Sequence, residues 1–512
     1  METPEVVSSI HARLEPGARS TTIAGGDVAL FAAFFLVGSL AMLYPFAALG
    51  CLAVVAALVF CWLALRYVRR AGLDAWQVVL LMALTGYVLL NYGFENLAIH
   101  LGRVPIIISY LLMFAAFALA AFSRPQLLMR AQKEPAMLCL LALLLLAFLH
   151  LVLDVPAHGL WAIRDASMFF DGIFLLLGLL WAMKGNSTIP LMKWLMVVLL
   201  LNAAYSFTFP FNETISAWSP KSGVFQEVPL LGSHGGNAIY LLAGALFYMS
   251  LARYVVRWPR WIVLLLAMAQ LLGLAVIQGR AMYVGLAAVL VIFVLLGETG
   301  KSAKLLVMLS PAFAVVLLLT TLGIEIQGRV GPVRTDFFKD HVRNIVGAVG
   351  TPGSGVSDRI DWYKEAFQHV RAHPVVGEGF GVALISFIDL DRPGHAAVRQ
   401  PHNSSLTVLA RLGAVGFLFW AVFHLFVLKR FLYALRQRRH CDEQLADLIV
   451  WLFMVYVIVM IEASVEPTFE FPSGSIPFYF FVGLALGLIR WQFGQRPRRA
   501  TAHASASTDV RV

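Results

Sequence analysis

Charged residues are scarce in this chain of 512 residues: they make up 13% of the sequence, whereas hydrophobic residues make up 60%. A soluble domain needs a polar surface, and runs such as 54–65, 136–153 and 305–319 have almost no polar face to offer water. The composition therefore excludes a soluble globular protein. It predicts an all-α polytopic membrane protein.

Cysteine is equally sparse. The four cysteines, Cys51, Cys61, Cys139 and Cys441, fall in hydrophobic segments or on the side that we assign to the cytoplasm. They indicate no disulfide framework, and no Cys/His spacing is typical of a zinc site. We therefore expect neither a bound metal nor a cofactor.

Hydrophobic runs long enough to cross a bilayer recur along the whole chain. Spans of about 17 to 25 apolar residues predict about fourteen transmembrane helices, or about twelve if each closely spaced pair is a single span. The predicted spans are 27–43, 45–65, 75–92, 104–122, 136–154, 168–184, 190–208, 236–255, 260–278, 280–297, 304–323, 403–429, 446–464 and 475–491.

The spans and the polar segments between them predict five regions. These are a cytoplasmic N-terminal segment (1–26), a first set of spans (27–323), a periplasmic catalytic loop (324–402), a second set of spans (403–491) and a basic, disordered cytoplasmic tail (492–512). The first region is polar and lacks the small-residue cleavage pattern of a signal peptide.

Basic residues alternate between the two sides of the predicted bundle. Dense clusters such as Arg66/Arg69/Arg70 flank spans on one side, whereas short loops on the other side carry about one each. Both termini are therefore predicted to be cytoplasmic and the long loop periplasmic or extracellular. The clusters also account for most of the net charge of +10, which anionic lipid explains without nucleic acid.

The long loop concentrates the polar chemistry of the chain, with nine Lys and Arg residues between positions 323 and 401. Ordinary surface charge, balanced by the loop's own carboxylates, is the alternative explanation. A helix is predicted from Ser357 to about His373, stopped by Pro374. Its predicted packing face is an apolar stripe of Ile360, Tyr363, Phe367 and Val370.

The loop ends directly at a predicted span. Asn403 or Ser404 is a natural N-cap for that helix. This spacing puts His402 at the edge of the membrane, on the same side as the loop.

Three motifs stand in order in the second half of the chain. They are Gln278-Gly279-Arg280-Ala281-Met282-Tyr283-Val284-Gly285, then Asp358-Arg359-Ile360-Asp361-Trp362-Tyr363-Lys364-Glu365-Ala366 with Pro374-Val375-Val376-Gly377-Glu378-Gly379-Phe380-Gly381, then His402-Asn403-Ser404-Ser405-Leu406 with Gly413 and Gly416. A further segment, Gly232-Ser233-His234-Gly235-Gly236-Asn237, precedes them. Their order and spacing over about 232–425 resemble the O-antigen ligase/polymerase superfamily of membrane glycosyltransferases.

The resemblance implies a metal-independent enzyme in the bacterial inner membrane. Such an enzyme takes a glycan from an undecaprenyl diphosphate carrier and joins it to an acceptor glycolipid or glycan outside that membrane. We expect a ligase, whose acceptor is the lipid A core. A polymerase of the same superfamily is the alternative. A flippase or transporter fits less well, because most charges lie at span ends and in the loop.

Arg280 and Arg359 suit the carrier diphosphate, because a guanidinium can hold phosphate oxygens bidentately at the membrane boundary. The alternatives are snorkelling of Arg280 to the interface and pairing of Arg359 with Asp358 or Asp361. Arg411 stands where many members of the family carry an acidic residue. It suits either a further phosphate ligand or an internal ion pair.

His402 is the candidate base for the acceptor hydroxyl, because imidazole is largely neutral near pH 7. Displacement with a single base would invert the anomeric configuration. A cap or surface histidine is the alternative role, and Asp361 and Glu378 are alternative carboxylate bases. Asn403 and Asn237 are accessory candidates.

Overall fold

The computed structural model describes residues 72–101, 104–185, 188–224, 227–232, 236–334, 356–388 and 397–494. The predicted segment 1–26, the predicted spans 27–43 and 45–65, and residues 335–355 and 389–396 of the predicted loop lie outside these residues. Of the predicted tail, residues 492–494 belong to the last helix, and the rest also lies outside the described residues. Contacts divide the chain into two units, Met1–Leu73 and Asp74–Val512. All the helices and strands described below belong to the second unit.

That unit is built almost entirely of helices. The first ones are α1 (Ala75–Leu90), α2 (Tyr92–Glu95), α3 (Ile108–Ser123), α4 (Pro125–Ala131), α5 (Pro135–His158), α6 (Leu160–Phe170), α7 (Leu175–Met183), α8 (Thr188–Ser206) and α9 (Asn212–Trp218). They are followed by α10 (Asn237–Ser250), α11 (Arg260–Ile277), α12 (Arg280–Leu295), α13 (Thr299–Thr321), α14 (Val356–Ala372), α15 (Ser404–Gln437), α16 (Glu443–Ala463) and α17 (Pro472–Gly494).

Strands are confined to three short antiparallel ribbons in the described part of the chain. They pair β1 (Ala98–Leu101) with β2 (Val104–Ile107), β3 (Lys221–Ser222) with β4 (Val228–Pro229), and β5 (Phe387–Ile388) with β6 (Ala397–Val398). The prediction of a helical fold is therefore confirmed.

Eight helical segments of the described residues are long and apolar enough to cross a membrane, or nine if the bent pair α3 and α4 forms one span. Three shorter apolar helices, α1, α10 and α12, lie where the sequence predicts spans. The total of about fourteen stays a prediction, because two predicted spans fall outside the described residues.

The bundle is held by close helix packing through glycine. A Cβ atom on Gly178 of α7 would lie 2.0 Å from the carbonyl oxygen of Phe480 in α17, and one on Gly483 would lie 2.0 Å from that of Leu175. Small residues allow this approach, which supplies packing energy where lipid removes the hydrophobic driving force. Helix α10 is buried along nearly its whole length beside α11.

Basic residues that the sequence assigns to one side of the membrane meet at shared carboxylates. Arg124 and Lys184 contact Asp74, Arg253 and Lys301 contact Asp447, and Arg430 and Arg490 contact Glu134. Each carboxylate thus joins two basic residues that the sequence assigns to the same side. Which compartment they face stays a prediction.

The predicted loop helix is present as α14, within one residue of its predicted limits. Its packing face differs from the prediction. Ala366 is fully buried, whereas Ile360 and Phe367 of the expected stripe are 36% and 47% exposed. The stripe is therefore wrong at these two positions, because the contacts that dock the loop turn the face with Trp362 and Ala366 inward.

Helix α15 is interrupted, whereas the sequence predicts one continuous span over 403–429. Gly413 has φ 60° and ψ −164°, which breaks the helical backbone after Leu412. Residues 374–379 of the loop pair with the backbone groups that this break releases. The N–H groups of Ala414 and Val415 donate to Pro374 and Val375, and those of Glu378 and Gly379 donate to Ala410 and Arg411.

Candidate functional site

A single carboxylate joins two of the predicted site residues. The Oε1 atom of Glu466 lies 2.5 Å from Nη2 of Arg359, and its Oε2 atom lies 3.3 Å from Nδ1 of His402. Glu466 lies in the connection between α16 and α17. Three segments distant in sequence therefore meet at one point.

The backbone of His402 adopts an unusual conformation. Its φ is 52°, in the left-handed region that non-glycine residues rarely occupy. Among the described residues only Asn91 and Gln278 share this feature without being glycine. Such conformations cost about 1 to 3 kcal/mol and cluster at functional sites. The imidazole packs on Trp362 of α14, with ring centroids 4.9 Å apart.

The turn after His402 is anchored at the start of α15. Asn403, one of the two residues predicted for this role, is the N-cap, and its Oδ1 accepts a hydrogen bond of 3.0 Å from the N–H of Leu406. Ser404 donates to Glu470 and accepts from the N–H of Phe469. The connection that carries Glu466 therefore also fixes the backbone beside His402.

Gln278 organises a second turn beside the site. Its side-chain amide donates to the carbonyl oxygen of Gly331 at 2.8 Å and accepts from the N–H groups of Val330 and Gly331 at 2.7 and 3.0 Å. A Cβ atom on Gly328 would lie 2.6 Å from this amide. The turn carries Arg329, whose N–H donates to the carbonyl oxygen of Val276.

Three arginines share the electrostatic field of this site. Arg280 is the first residue of α12 and lies two positions after Gln278. The charges of Arg359, Arg329 and Glu466 all act on its guanidinium. Arg329 and Arg359 also act on Glu466. The charges of the predicted pair, Arg280 and Arg359, therefore interact, and that of Arg329 acts on Arg280 as well.

Glu466 stays ionised in this setting. Burial alone would raise its pKa, but contact with His402 and the charges of Arg359 and Arg329 outweigh that effect and hold the pKa below its usual range. The carboxylate therefore remains available to hold both partners.

Other predicted candidates lie outside this constellation. Asp361 pairs with Lys364 on the exposed face of α14. Glu378 faces His369 and His373, at 3.2 and 3.3 Å. Neither carboxylate contacts His402.

Asn237 is fully buried at the start of α10. Its Nδ2 donates to the carbonyl oxygens of Val88 and Leu89 and to Oδ1 of Asn202. These bonds tie α10 to the end of α1 and to α8.

Arg411 forms an internal ion pair, one of the two roles that the sequence allows. It is fully buried, with Nη2 at 2.8 Å from Oδ2 of Asp165 and Nη1 donating to the carbonyl oxygen of Gly379. Its guanidinium therefore holds the loop against α6.

Residues 264–421 match the family model described as O-antigen ligase. The chain carries a domain of the O-antigen ligase superfamily. A search of curated protein sequences finds no match to this chain. The O-antigen ligase domain includes Arg280, Arg329, Arg359 and His402, whereas Asn237 precedes it. Together with the apolar helices, this domain supports a multi-pass membrane protein with an O-antigen ligase or polymerase type of function.

None of the sequence motifs includes Glu466, which lies 45 residues beyond position 421, where the O-antigen ligase domain ends. One signal was present. Glu462, Glu466 and Glu470 recur every fourth residue at the end of a predicted span, in a chain with only 29 acidic residues. Arg329 is one of the nine loop cations, and no sequence motif assigns it a role.

Proposed function

We propose that this protein transfers a glycan from an undecaprenyl diphosphate carrier to an acceptor sugar at the periplasmic face of the bacterial inner membrane, with both termini cytoplasmic. One observation supports the proposal above all. Glu466 contacts Arg359 of α14 and His402 just before α15, and the charges of Arg280 and Arg329 also interact with this carboxylate.

The arginines suit the diphosphate. The carrier's tail stays in the bilayer, so its charged head must be held at the membrane boundary. Arg280 and Arg359 would bind phosphate oxygens, and Arg329 adds a third cation at the same place. As the glycosidic bond to the carrier breaks, negative charge grows on the leaving diphosphate, and fixed cations stabilise that charge without reorganisation.

His402 suits the role of base. A carboxylate at 3.3 Å from Nδ1 favours the tautomer that carries its proton there, which leaves Nε2 free to accept one. Nε2 takes the proton of the acceptor hydroxyl, the oxygen attacks the anomeric carbon, and the bond from that carbon to the diphosphate oxygen breaks. Attack opposite the leaving group inverts the configuration. Glu466 stabilises the resulting imidazolium.

The first candidate is a ligase with the lipid A core, or a related surface glycan, as acceptor. A polymerase would use the same base and the same diphosphate site with a second carrier-linked glycan as acceptor. The two are distinguished by the acceptor alone.

The test uses purified protein, carrier-linked donor and either lipid A core or a second carrier-linked glycan, without ATP and with excess chelator. We expect a new glycosidic bond of inverted configuration and release of undecaprenyl diphosphate. His402→Ala is the matched control for the chemistry. Movement of the carrier across vesicles without bond formation would instead identify a transporter, and activity restored only by added Mg²⁺ or Mn²⁺ would overturn metal independence.

A further inference from the structure

A second carboxyl group from the connection between α16 and α17 reaches the turn that carries His402. Glu470 lies four residues after Glu466 and is buried. Its Oε2 atom accepts a hydrogen bond of 2.5 Å from Oγ of Ser404, which is fully buried. The same Oγ accepts the N–H of Phe469 at 3.2 Å. Two neighbouring residues of the connection therefore hold the side chain of Ser404.

The two carboxyl groups hold this turn at two points. Glu466 contacts the imidazole of His402, and Glu470 contacts the side chain two positions later. The φ of His402 is 52°, and such a conformation persists only where the surrounding structure imposes it. Ser404 is the first residue of α15. Its bond to Glu470 therefore fixes where the helical end of the turn lies relative to Glu466.

Glu470 differs from Glu466 in its electrostatic environment. Arg359 pairs with Glu466, whereas no Lys or Arg side chain in the described part of the chain forms an ion pair with Glu470. Burial raises the pKa of Glu470, and hydrogen bonds from Ser404 and Thr407 oppose this effect without cancelling it. Both hydroxyl groups belong to the first turn of α15. The carboxyl group of Glu470 is therefore placed for hydrogen bonding to this turn and not for pairing with an arginine.

The connection is itself fixed at its C-terminal end. The N–H of Ser473 donates to Glu95 of α2 at 2.9 Å. The hydroxyl of Ser475 donates to Asp171, in the segment before α7, at 2.5 Å. These bonds attach the first turn of α17 to two other parts of the bundle. Glu470 lies two residues before α17, so it reaches Ser404 from a firmly held support.

We propose that Glu470 is a positioning residue for His402, and that it acts through its hydrogen bond to Ser404 and not through its charge. The proposal rests on the proposed function, because that function gives the imidazole its role as base. Without the bond, we expect the turn to relax to an ordinary backbone conformation. The imidazole would then move away from Glu466 and from the acceptor hydroxyl.

The position of His402 can be measured without transfer, by its reaction with diethylpyrocarbonate. The protein is kept in phosphatidylcholine nanodiscs, and carbethoxylation of the peptide that contains His402 is followed by mass spectrometry. The imidazole is 19% exposed and packs on Trp362, which slows this reaction. The loss of one buried hydrogen bond shifts an equilibrium by about tenfold. We therefore expect the His402 peptide of Ser404→Ala and of Glu470→Ala to react about tenfold faster than that of the wild type.

Glu470→Gln separates hydrogen bonding from charge. The amide oxygen of glutamine can still accept from Ser404, although the side chain carries no charge, so we expect a rate close to that of the wild type. Ser475→Ala is the matched control. It removes a hydroxyl group that donates to a buried carboxylate at the same distance, 2.5 Å, but it lies in α17 and not beside His402. It should lower the melting temperature about as much as Ser404→Ala and keep the wild-type rate.

Three results would overturn the proposal. The first is an unchanged carbethoxylation rate in both Ser404→Ala and Glu470→Ala. The second is a rate in Glu470→Gln as high as that in Glu470→Ala, because charge would then be the property that holds the turn. The third is an equal acceleration in Ser475→Ala, since the effect would then reflect general loosening of the protein.

Transfer assays separate this proposal from the proposed function. Ser404→Ala should lower kcat by about tenfold or more and leave KM for the carrier-linked donor near the wild-type value, because misplacing a catalytic group by about 1 Å costs up to about a hundredfold. Glu470→Gln should keep most of the kcat that Glu470→Ala loses, and Ser475→Ala should keep the wild-type kcat. Faster carbethoxylation of Ser404→Ala with an unchanged kcat would support the positioning contact and reject His402 as the base.

Discussion

Gly377 and Gly413 meet across the junction between the loop and α15. A Cβ atom on Gly377 would lie 2.3 Å from the carbonyl oxygen of Arg411, and one on Gly413 would lie 2.3 Å from that of Val375. Both glycines have positive φ, 84° and 60°. The loop and the interrupted helix therefore touch backbone to backbone.

Gly377→Ala and Gly413→Ala should each destabilise this junction by about 1 to 3 kcal/mol, because alanine is strained at positive φ and its methyl group has no space. Thermal unfolding in detergent measures the loss. The double variant should lose less than the sum, since either change alone already opens the junction. Gly300→Ala is the control, because a Cβ there meets nothing within 4 Å. A wild-type melting curve for Gly413→Ala would contradict the close contact.

Substitution of His402 should lower turnover, whereas substitution of the arginines should weaken binding of the carrier. His402→Ala should reduce turnover by about a hundredfold or more while carrier-lipid affinity stays near wild type, because neutral imidazole contributes little to holding an anion. Arg280→Ala and Arg359→Ala should each weaken carrier binding by about 1.5 to 3 kcal/mol, with only partial rescue by lysine.

Equal expression and matching melting curves are required before these variants are compared. Retention of a tenth of wild-type turnover by His402→Ala would show that another group is the base. The arginine assignments would then be judged on the binding data alone.

Gln278 and Arg329 should behave as one unit. Gln278→Leu removes three hydrogen bonds from the turn that carries Arg329, so it should weaken carrier binding about as much as Arg329→Ala. In a double-mutant cycle the second change should add little once the first is present. Binding to undecaprenyl diphosphate in nanodiscs supplies the measurement. Fully additive losses would mean that Gln278 acts independently of Arg329.

Glu466 should make the melting temperature of the protein fall at low pH. The pKa of Glu466 in the folded protein lies below the ordinary value. Its contribution to the free energy of unfolding is therefore fully present above the pKa of the unfolded chain, about 4.3, and is lost as the pH falls through the pKa of the folded protein. Glu466→Gln should flatten the fall in melting temperature below about pH 4.3. Glu325→Gln, which removes an exposed ion pair, should keep the wild-type profile. Identical profiles for Glu466→Gln and the wild type would rule out this contribution.

The predicted orientation is testable with exposed positions. In a cysteine-free background, Lys364→Cys on α14 should react with an impermeant maleimide added to intact spheroplasts. Glu443→Cys, at the start of α16, should react only after permeabilisation. The reverse pattern would put His402 on the cytoplasmic side and remove the proposed function.

Local signals in the sequence are sufficient to predict several features of the site. Pro374 stops the loop helix, and the capping residue before the final group of spans is Asn403, as expected from its side chain. These features depend on neighbours within about four residues. The apolar stripe failed at Ile360 and Phe367, because the packing of that face depends on contacts with a distant helix.

The features of the site that the sequence does not predict all depend on tertiary contacts. Glu466 reaches His402 from a different connection, and Arg329 is placed by a side chain 51 positions earlier, Gln278. The break at Gly413 lies inside a hydrophobic run that carries no local stop signal other than the glycine itself. Likewise, the choice between a phosphate ligand and an ion pair for Arg411 required the position of Asp165.

The interruption of α15 also bears on how the chain assembles during biosynthesis. Backbone groups left without partners in the hydrocarbon region cost several kcal/mol each. Four hydrogen bonds around Gly413 come from residues 374–379, which leave the ribosome earlier than α15. Helix α15 therefore has partners for these backbone groups only when residues 374–379 are docked against it. We therefore expect docking of this loop segment and completion of α15 to be a single event.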